Sequence, residues 1–218
     1  MKKRQLAGWV FVAPALLAIG VFFVGPVLAA LAMSFTDFDI YALADWRNLR
    51  WVGFANYAEL LARPLFWQAL LNTLVFVGLG VPLSIAASLG AALLLHSPMA
   101  RAQALFRTAL FAPVVTTLVA VAVVWRYLFH TRYGFINHGL VQFGIGPVDW
   151  FGDPVWSMPA IVVMSVWKNY GYNMVILLAG LQAIPKDLYE AARLDGARRW
   201  ALFRHITLPG LAPLLLLV

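Results

Sequence analysis

The chain has 218 residues, of which 63% are hydrophobic and only 11% are charged. Soluble domains average about 25% charged residues, so this composition excludes an ordinary soluble domain and indicates a membrane protein. The net charge of +7 does not point to nucleic acid, because the basic residues are spread over loop ends and form no single patch. Cysteine is absent, and the four histidines have no metal-ligand spacing.

Apolar segments long enough to cross a bilayer divide the chain. The first follows a basic N-terminus and is longer than the hydrophobic region of a signal peptide, so it predicts an uncleaved span. We expect an all-α polytopic membrane protein and a single transmembrane domain over residues 1–218. The predicted spans are about residues 6–35, 69–95, 104–129 and 157–183, with a fifth beginning at 211–218.

The positions of Lys and Arg predict which loops face the cytoplasm. Ten of the 16 Lys and Arg residues fall on one side of the predicted spans, five on the other and one, Lys168, within a span. The ten include the N-terminal Lys2–Arg4 and Arg101, and the five include Arg47. By the positive-inside rule, the N-terminus and the loop 184–210 lie in the cytoplasm.

The loop 184–210 is the most polar helix-forming stretch of the chain. Pro185 suits the first position of a helix, where its missing N–H removes no hydrogen bond. Gly196 is expected to end that helix, because glycine accepts the left-handed conformation that closes helices. A second short helix is expected to follow and to end at Pro209.

The same loop contains the pattern E-A-A-x3-G-x9-I-x-L-P. This pattern resembles the signature cytoplasmic loop of permease subunits in binding-protein-dependent ABC importers. The resemblance implies a coupling loop that docks onto a separate ATPase subunit and passes its motion to the membrane helices. The residues implied in coupling are Glu190, Ala191, Ala192, Asp195, Gly196, Ile206, Leu208 and Pro209. The alternative is a basic amphipathic loop that lies on anionic lipid headgroups.

Several other segments extend the resemblance, among them W-V-G-F-A-N-Y at 51–57 and L-A-G-L-Q-A-I-P at 178–185. Both are similar to segments of the carbohydrate-type permeases, the maltose and glycerol-3-phosphate-like family. The resemblance implies a type I importer helix bundle that moves sugars, polyols or glycerol phosphates; peptides and polyamines are the alternative substrates. Such permeases usually have six spans, and this chain has about five, so we expect it to be truncated at its C-terminus.

The resemblance also implies the partners. These are two copies of an ABC ATPase, a second homologous permease that differs from this one, and an extracytoplasmic solute-binding protein at the bacterial cytoplasmic (inner) membrane. The chain has no G-x-x-x-x-G-K-[ST] motif to hold nucleotide phosphates, and no catalytic or metal-binding constellation. We therefore expect a transport subunit that is not an enzyme and binds no cofactor, with ATP and Mg on the ATPase subunits.

A polar patch interrupts the span 157–183, and a charge in a span usually faces a bundle interior or a water-filled cavity. One hypothesis is a polar substrate pathway, with aromatic rings stacking on sugar faces. The alternative is that Lys168 snorkels or pairs locally while the other residues join helix contacts. An ion-coupled secondary transporter predicts acidic residues within spans, but all nine Asp and Glu lie in loops or at loop edges. The patch comprises Lys168, Asn169, Tyr170, Tyr172 and Asn173.

Overall fold

The computed structural model of the chain describes residues 2–39, 49–97 and 102–218. These residues fold mainly into helices, with an isolated antiparallel bridge between Thr36 and Trp51. The helices are α1 Lys2–Ile19, α2 Gly25–Met33, α3 Ala55–Ala62, α4 Pro64–His96, α5 Gln103–Val115, α6 Leu118–Leu128, α7 Phe135–Gln142, α8 Pro154–Ala183, α9 Lys186–Leu194, α10 Arg199–Leu202 and α11 Leu208–Leu215, and π-helical turns occupy Gly20–Val24 and Phe203–Thr207.

The chain forms two compact units, Met1–Leu70 and Leu71–Val218. The prediction of one transmembrane domain over the whole chain therefore stays a prediction. Three residues used to predict the orientation, Arg47, Arg101 and Lys2, also stay without a structural test. Arg47 and Arg101 lie outside the described residues, and so do the side chains of Lys2, Lys3 and Arg4.

The first unit consists of a long apolar helix and an aromatic cluster. The helix Gly8–Met33 has a mean hydropathy of 2.5 and is long enough to cross a membrane. Its π-helical turn lies midway, so α1 and α2 follow one another without a loop. Beyond it, Phe35 packs against Trp51, Phe54 and Tyr57, which draws the chain after the helix back onto α3.

The second unit is built around α8. Asp153 caps the first turn by accepting a hydrogen bond from the Val155 N–H, and Pro154 takes the first helical position. An apolar cluster centred on Met174, Leu177 and Leu211 joins α8 to α4 and α11. A second cluster of buried residues joins α8 to α6: Val121, Trp125, Phe129 and Ala160.

A buried asparagine organises the loop that leads into α8. The Asn137 side-chain oxygen accepts from the Val148 N–H and the Trp150 indole N–H, at 3.2 and 2.9 Å. Its amide group donates to the carbonyls of Thr131 and Val148, at 3.1 and 2.8 Å. Every hydrogen-bonding group of this side chain is therefore used, as buried polar groups require.

The predicted third span over 104–129 is divided into two helices. The segment forms α5 and α6, whose axes are bent by 100° at Thr116 and Thr117. Pro113 cannot donate its backbone nitrogen to the helix, and both threonines adopt extended dihedral angles. The Thr117 hydroxyl accepts from the Ala120 N–H and so begins a new helix.

The expected end of the second loop helix at Pro209 is wrong. The helix that begins at Arg199 widens into the π-helical turn and continues as α11 to Leu215. Pro209 lies in the first two positions of α11, directly after the π-helical turn, and does not end the helix. Among the described residues, three helices can cross a membrane by length and composition, or four if α5 and α6 form one broken span.

Candidate functional site

The first helix of the polar loop, α9, has two well-defined ends. Pro185 precedes it, and Asp187 and Arg193 lie in its first and last turns, where they complement the helix dipole. Gly196 follows the helix with φ of +84°. Its N–H donates to the Arg193 carbonyl at 3.0 Å, and the Ala197 N–H donates to the Ala192 carbonyl at 2.8 Å. This pair of bonds is a Schellman motif, so the helix ends at Gly196 as predicted.

One side-chain hydrogen bond connects α9 to the following helix. The hydroxyls of Tyr189 and Thr207 lie 3.0 Å apart. Thr207 is buried in the π-helical turn and donates to the Leu202 carbonyl at 3.4 Å, which leaves Tyr189 as the donor of the first bond. This bond connects α9 directly to the helix that continues as α11.

A second contact holds α11 against the end of α8. A Cβ added at Gly210 would stand 2.9 Å from the Ile184 side chain, so the glycine lets these segments approach closely. The cleft beside this contact has a volume of about 470 Å³ and includes Leu188, Ile206 and Pro209 in its wall. Ile206 and Pro209 of the I-x-L-P motif therefore share this cleft with Leu188 of α9.

The opposite side of α9 borders a more polar cleft of about 460 Å³. Its wall includes Glu190, Arg193 and Thr207, together with His96 from the end of α4. The cleft thus brings the glutamate of the E-A-A motif close to the buried threonine of the π-helical turn.

The outer surface of the loop carries both charged and apolar side chains. Leu194 is 89% exposed and Trp200 is 68% exposed. Ala191, Asp195 and Leu208 are also exposed, whereas Ala192 and Ile206 are half-buried. An amphipathic helix that projects such residues from a bundle is suited to docking into a groove on another protein.

Lys168 lies in the middle of α8 and binds the end of α5. Its ammonium group donates to the carbonyls of Pro113 and Val114, at 2.7 and 2.9 Å. The last four carbonyls of a helix lack partners within it, and a cation is favoured there by the helix dipole. A lysine in mid-membrane costs about 2.5–3.5 kcal/mol on insertion scales, and unpaired carbonyls in a bilayer are also unfavourable. These two hydrogen bonds offset both penalties. The geometry favours local pairing for this residue.

The two asparagines of the patch lie on a different face of α8. Asn169 and Asn173 line a cleft of about 300 Å³ together with Ser84 and Ser165. The Asn173 amide approaches the Ser84 hydroxyl at 3.5 Å, and the Asn169 amide donates to the Ser165 carbonyl at 2.9 Å. The cleft therefore contains hydroxyl and amide groups that can exchange hydrogen bonds with a polyhydroxylated ligand.

The two tyrosines have other surroundings. Tyr170 lines a mostly apolar cleft of about 520 Å³ with Trp125 and Trp167, and Tyr172 is exposed. The five residues of the patch thus contribute to separate faces of one helix, and their role in a substrate pathway stays a prediction.

Several residues that shape these sites were not predicted from the sequence. Tyr189 and Thr207 belong to the loop, but no sequence signal pairs two hydroxyls 18 positions apart. Ser84 and Ser165 contribute to the asparagine cleft from separate helices. Gly171, one turn beyond Lys168, is buried against α5, and a small residue inside an apolar span is a recognisable signal for close helix packing.

Comparison with known proteins identifies the family. Residues 52–217 match the family described as the binding-protein-dependent transport system inner membrane component. The chain is 38% identical to the lactose transport system permease protein LacF of Rhizobium radiobacter, over 96% of this chain and 68% of that protein. It is 33% identical to the trehalose/maltose transport system permease protein MalF of Thermococcus litoralis, over 99% of this chain and 72% of that protein.

A solved structure has the same fold. The chain superimposes with a TM-score of 0.74 and 25% identity on a chain of the bacterial alginate ABC transporter, crystallised in complex with an alginate pentasaccharide-bound periplasmic protein. The match covers 98% of this chain and 69% of that one. The predicted fold class, a helical ABC-importer permease bundle, is confirmed. The chain is a multi-pass membrane protein and belongs to the family of inner membrane components of binding-protein-dependent transport systems.

Proposed function

We propose that this chain is the permease subunit of an ATP-driven importer that moves sugars or related polyols across the bacterial cytoplasmic membrane. The observation that carries the proposal is the loop from α9 to α11, which combines an exposed amphipathic helix with a direct connection to a membrane helix. Relatives named for lactose and for trehalose and maltose support a carbohydrate substrate. Peptides, polyamines and ion-coupled transport have no comparable support.

The loop would pass the motion of the ATPase to the membrane helices. Closure of an ATPase dimer would displace α9, and the hydrogen bond between Tyr189 and Thr207 would carry the displacement into α11. The Schellman end at Gly196 fixes the angle at which the chain leaves α9. The exposed carboxylates of Glu190 and Asp195 offer charged contacts to the ATPase surface. We assign no catalytic role to any residue of this chain.

The assembly would contain two ATPase copies, which bind ATP and Mg, and a second, different permease homologous to this one. An extracytoplasmic solute-binding protein would deliver the substrate, as the periplasmic protein in the alginate transporter complex suggests. The N-terminus and the loop 184–210 would face the cytoplasm, because ten of the 16 Lys and Arg residues lie on their side of the predicted spans.

The substrate would pass the cleft that contains Asn169 and Asn173. Amide side chains can donate and accept hydrogen bonds at once, which suits the alternating hydroxyl groups of a sugar. Tyr170 and Tyr172 are the aromatic residues of the patch nearest in sequence, and they offer ring faces on which a sugar could stack.

The assembly is tested by affinity capture from detergent-solubilised membranes. The tagged full-length permease is co-expressed with the ATPase subunits encoded beside it. We expect capture of an ATPase that weakens with Gly196→Val and persists with Gly196→Asn, because asparagine tolerates the left-handed conformation at the end of a helix. Failure of the unaltered permease to capture any ATPase would remove the main support for this function.

The substrate class is tested by sugar uptake into proteoliposomes that contain the captured assembly. Asn173→Leu is expected to lower uptake while ATPase capture remains unchanged, because the replaced amide lines the cleft. Gln182→Leu serves as the matched control, since this amide lies on the same helix, is exposed and is not part of the cleft wall. Equal losses from both variants would argue against the asparagine cleft as the pathway.

A further inference from the structure

The third span is broken at a point where its backbone carbonyls need partners. α5 ends at Val115 and α6 begins at Leu118, with the two axes bent by 100°. Within a bilayer, the carbonyls exposed by such a break find no water to bond. The break therefore requires donors from the protein itself.

Donors from two sources reach the end of α5. The Thr116 hydroxyl donates to the Ala112 carbonyl at 3.1 Å. The Lys168 ammonium donates to the next two carbonyls, those of Pro113 and Val114, at 2.7 and 2.9 Å. Three of the last four carbonyls of the half-helix are thus occupied, two of them by a single cation that comes from another helix.

Close packing keeps this cation in place. A Cβ added at Gly171 would stand 2.5 Å from the Leu110 carbonyl oxygen and 3.2 Å from the Phe111 Cα. Because α8 meets α5 backbone to backbone at this position, Lys168, three residues earlier on the same face, reaches the end of α5 with its side chain.

We propose that Lys168 is a positioning residue, whose side-chain ammonium group holds the broken third span in its bent arrangement. In ion-coupled carriers, the C-terminal ends of such half-helices and their unwound carbonyls coordinate a free cation. Here the lysine supplies that charge, so the bend needs no ion from solution. The assignment does not depend on the substrate or on the ATPase.

The angle between α5 and α6 is measurable with spin labels. Residues 1–218 contain no cysteine, and Leu105 and Val124 are exposed, so cysteines introduced there can be labelled in the full-length permease. At about 1.5 Å of rise per residue, these positions lie about 17 and 11 Å from the break. Axes bent by 100° then place the two backbones about 19 Å apart, against about 28 Å in a straight helix.

The distance between the two labels is measured by electron spin resonance in three forms of the permease in lipid nanodiscs. With Lys168 or Lys168→Arg we expect a narrow distribution at the shorter distance, because both side chains donate to two carbonyls. With Lys168→Met we expect a shift of up to about 9 Å to longer distances. An unchanged distribution with methionine would overturn the proposal, and so would loss of insertion in the arginine form.

Chemical rescue distinguishes the loss of the ammonium group from the loss of side-chain packing. In Lys168→Ala, added n-propylammonium can occupy the vacated space and donate to the carbonyls, and we expect it to restore the shorter distance. Tetramethylammonium carries the charge without an N–H donor, and n-butanol carries a hydroxyl without the charge. Rescue by all three, or by none, would contradict the assignment.

Discussion

The backbone at Gly196 sets a graded penalty for any side chain at this position. Its φ of +84° lies in the left-handed region, which costs other L-residues about 1–2 kcal/mol. Among the described residues, no heavy atom beyond its chain neighbours lies within 4 Å of an added Cβ. A substitution here therefore acts through the backbone conformation alone. We expect the smallest loss with Gly196→Asn, an intermediate loss with Gly196→Ala and the largest with Gly196→Val.

The losses should appear as a weaker affinity for the ATPase. If the ATPase binds only the native loop and the unbound loop can relax to another conformation, a penalty of about 1 kcal/mol for alanine lowers the apparent affinity by up to about fivefold. About 2 kcal/mol for valine, a β-branched residue that the left-handed region disfavours most, lowers it by up to about thirtyfold. The assay is equilibrium binding of the purified ATPase to each variant in nanodiscs, with the Tm of the permease as a check on folding.

The order of the three variants is the sensitive part of this prediction. If asparagine were as damaging as valine, the loop would be responding to side-chain volume, and the conformational argument would be wrong. Wild-type affinity in the valine variant would show that the end of α9 has no part in docking.

Four further substitutions and one control probe the contacts around α8 and α9. Tyr189→Phe and Thr207→Val should each lower the free energy of unfolding in detergent by about 0.5–1.5 kcal/mol. In the double variant the two losses should not add, because both variants remove the same hydrogen bond. Additive losses would show that the bond does not contribute to stability. Gly171→Ala should lower the Tm in detergent because its Cβ meets backbone, while Gly78→Ala, which has open space among the described residues, should not. Asn137→Leu should cost at least about 2 kcal/mol in the same assay, since it leaves buried donors unpaired, and a wild-type Tm would contradict this.

Features that depend on local chain chemistry could be predicted from the sequence. The beginning of α9 after Pro185 and its end at Gly196 follow from preferences that act within a few residues. The long apolar helices 8–33, 64–96 and 154–183 likewise follow from hydropathy over one bilayer thickness. In each case the physical cause lies inside the segment.

The break in the third span depends on a contact between helices. Pro113 and the two following threonines were visible in the sequence, but the apolar run continues through Val119–Val124 and conceals the interruption. A proline in a membrane helix is tolerated when neighbours satisfy the freed backbone groups. Here the donor is Lys168, 54 residues beyond Val114, and no pattern along the chain connects the two.

The division of the polar patch, in contrast, was implicit in the sequence. Successive residues of a helix are rotated by about 100°, so positions 168–173 sweep through more than a full turn and cannot share one face. Asn169 and Asn173, four positions apart, lie one above the other, and these two share a cleft. Lys168 and Gly171 form a second such pair, directed at α5. The helical period thus assigns the patch two tasks, a cleft suited to hydroxyl groups and an anchor for the broken span, and a substitution in one should leave the other intact.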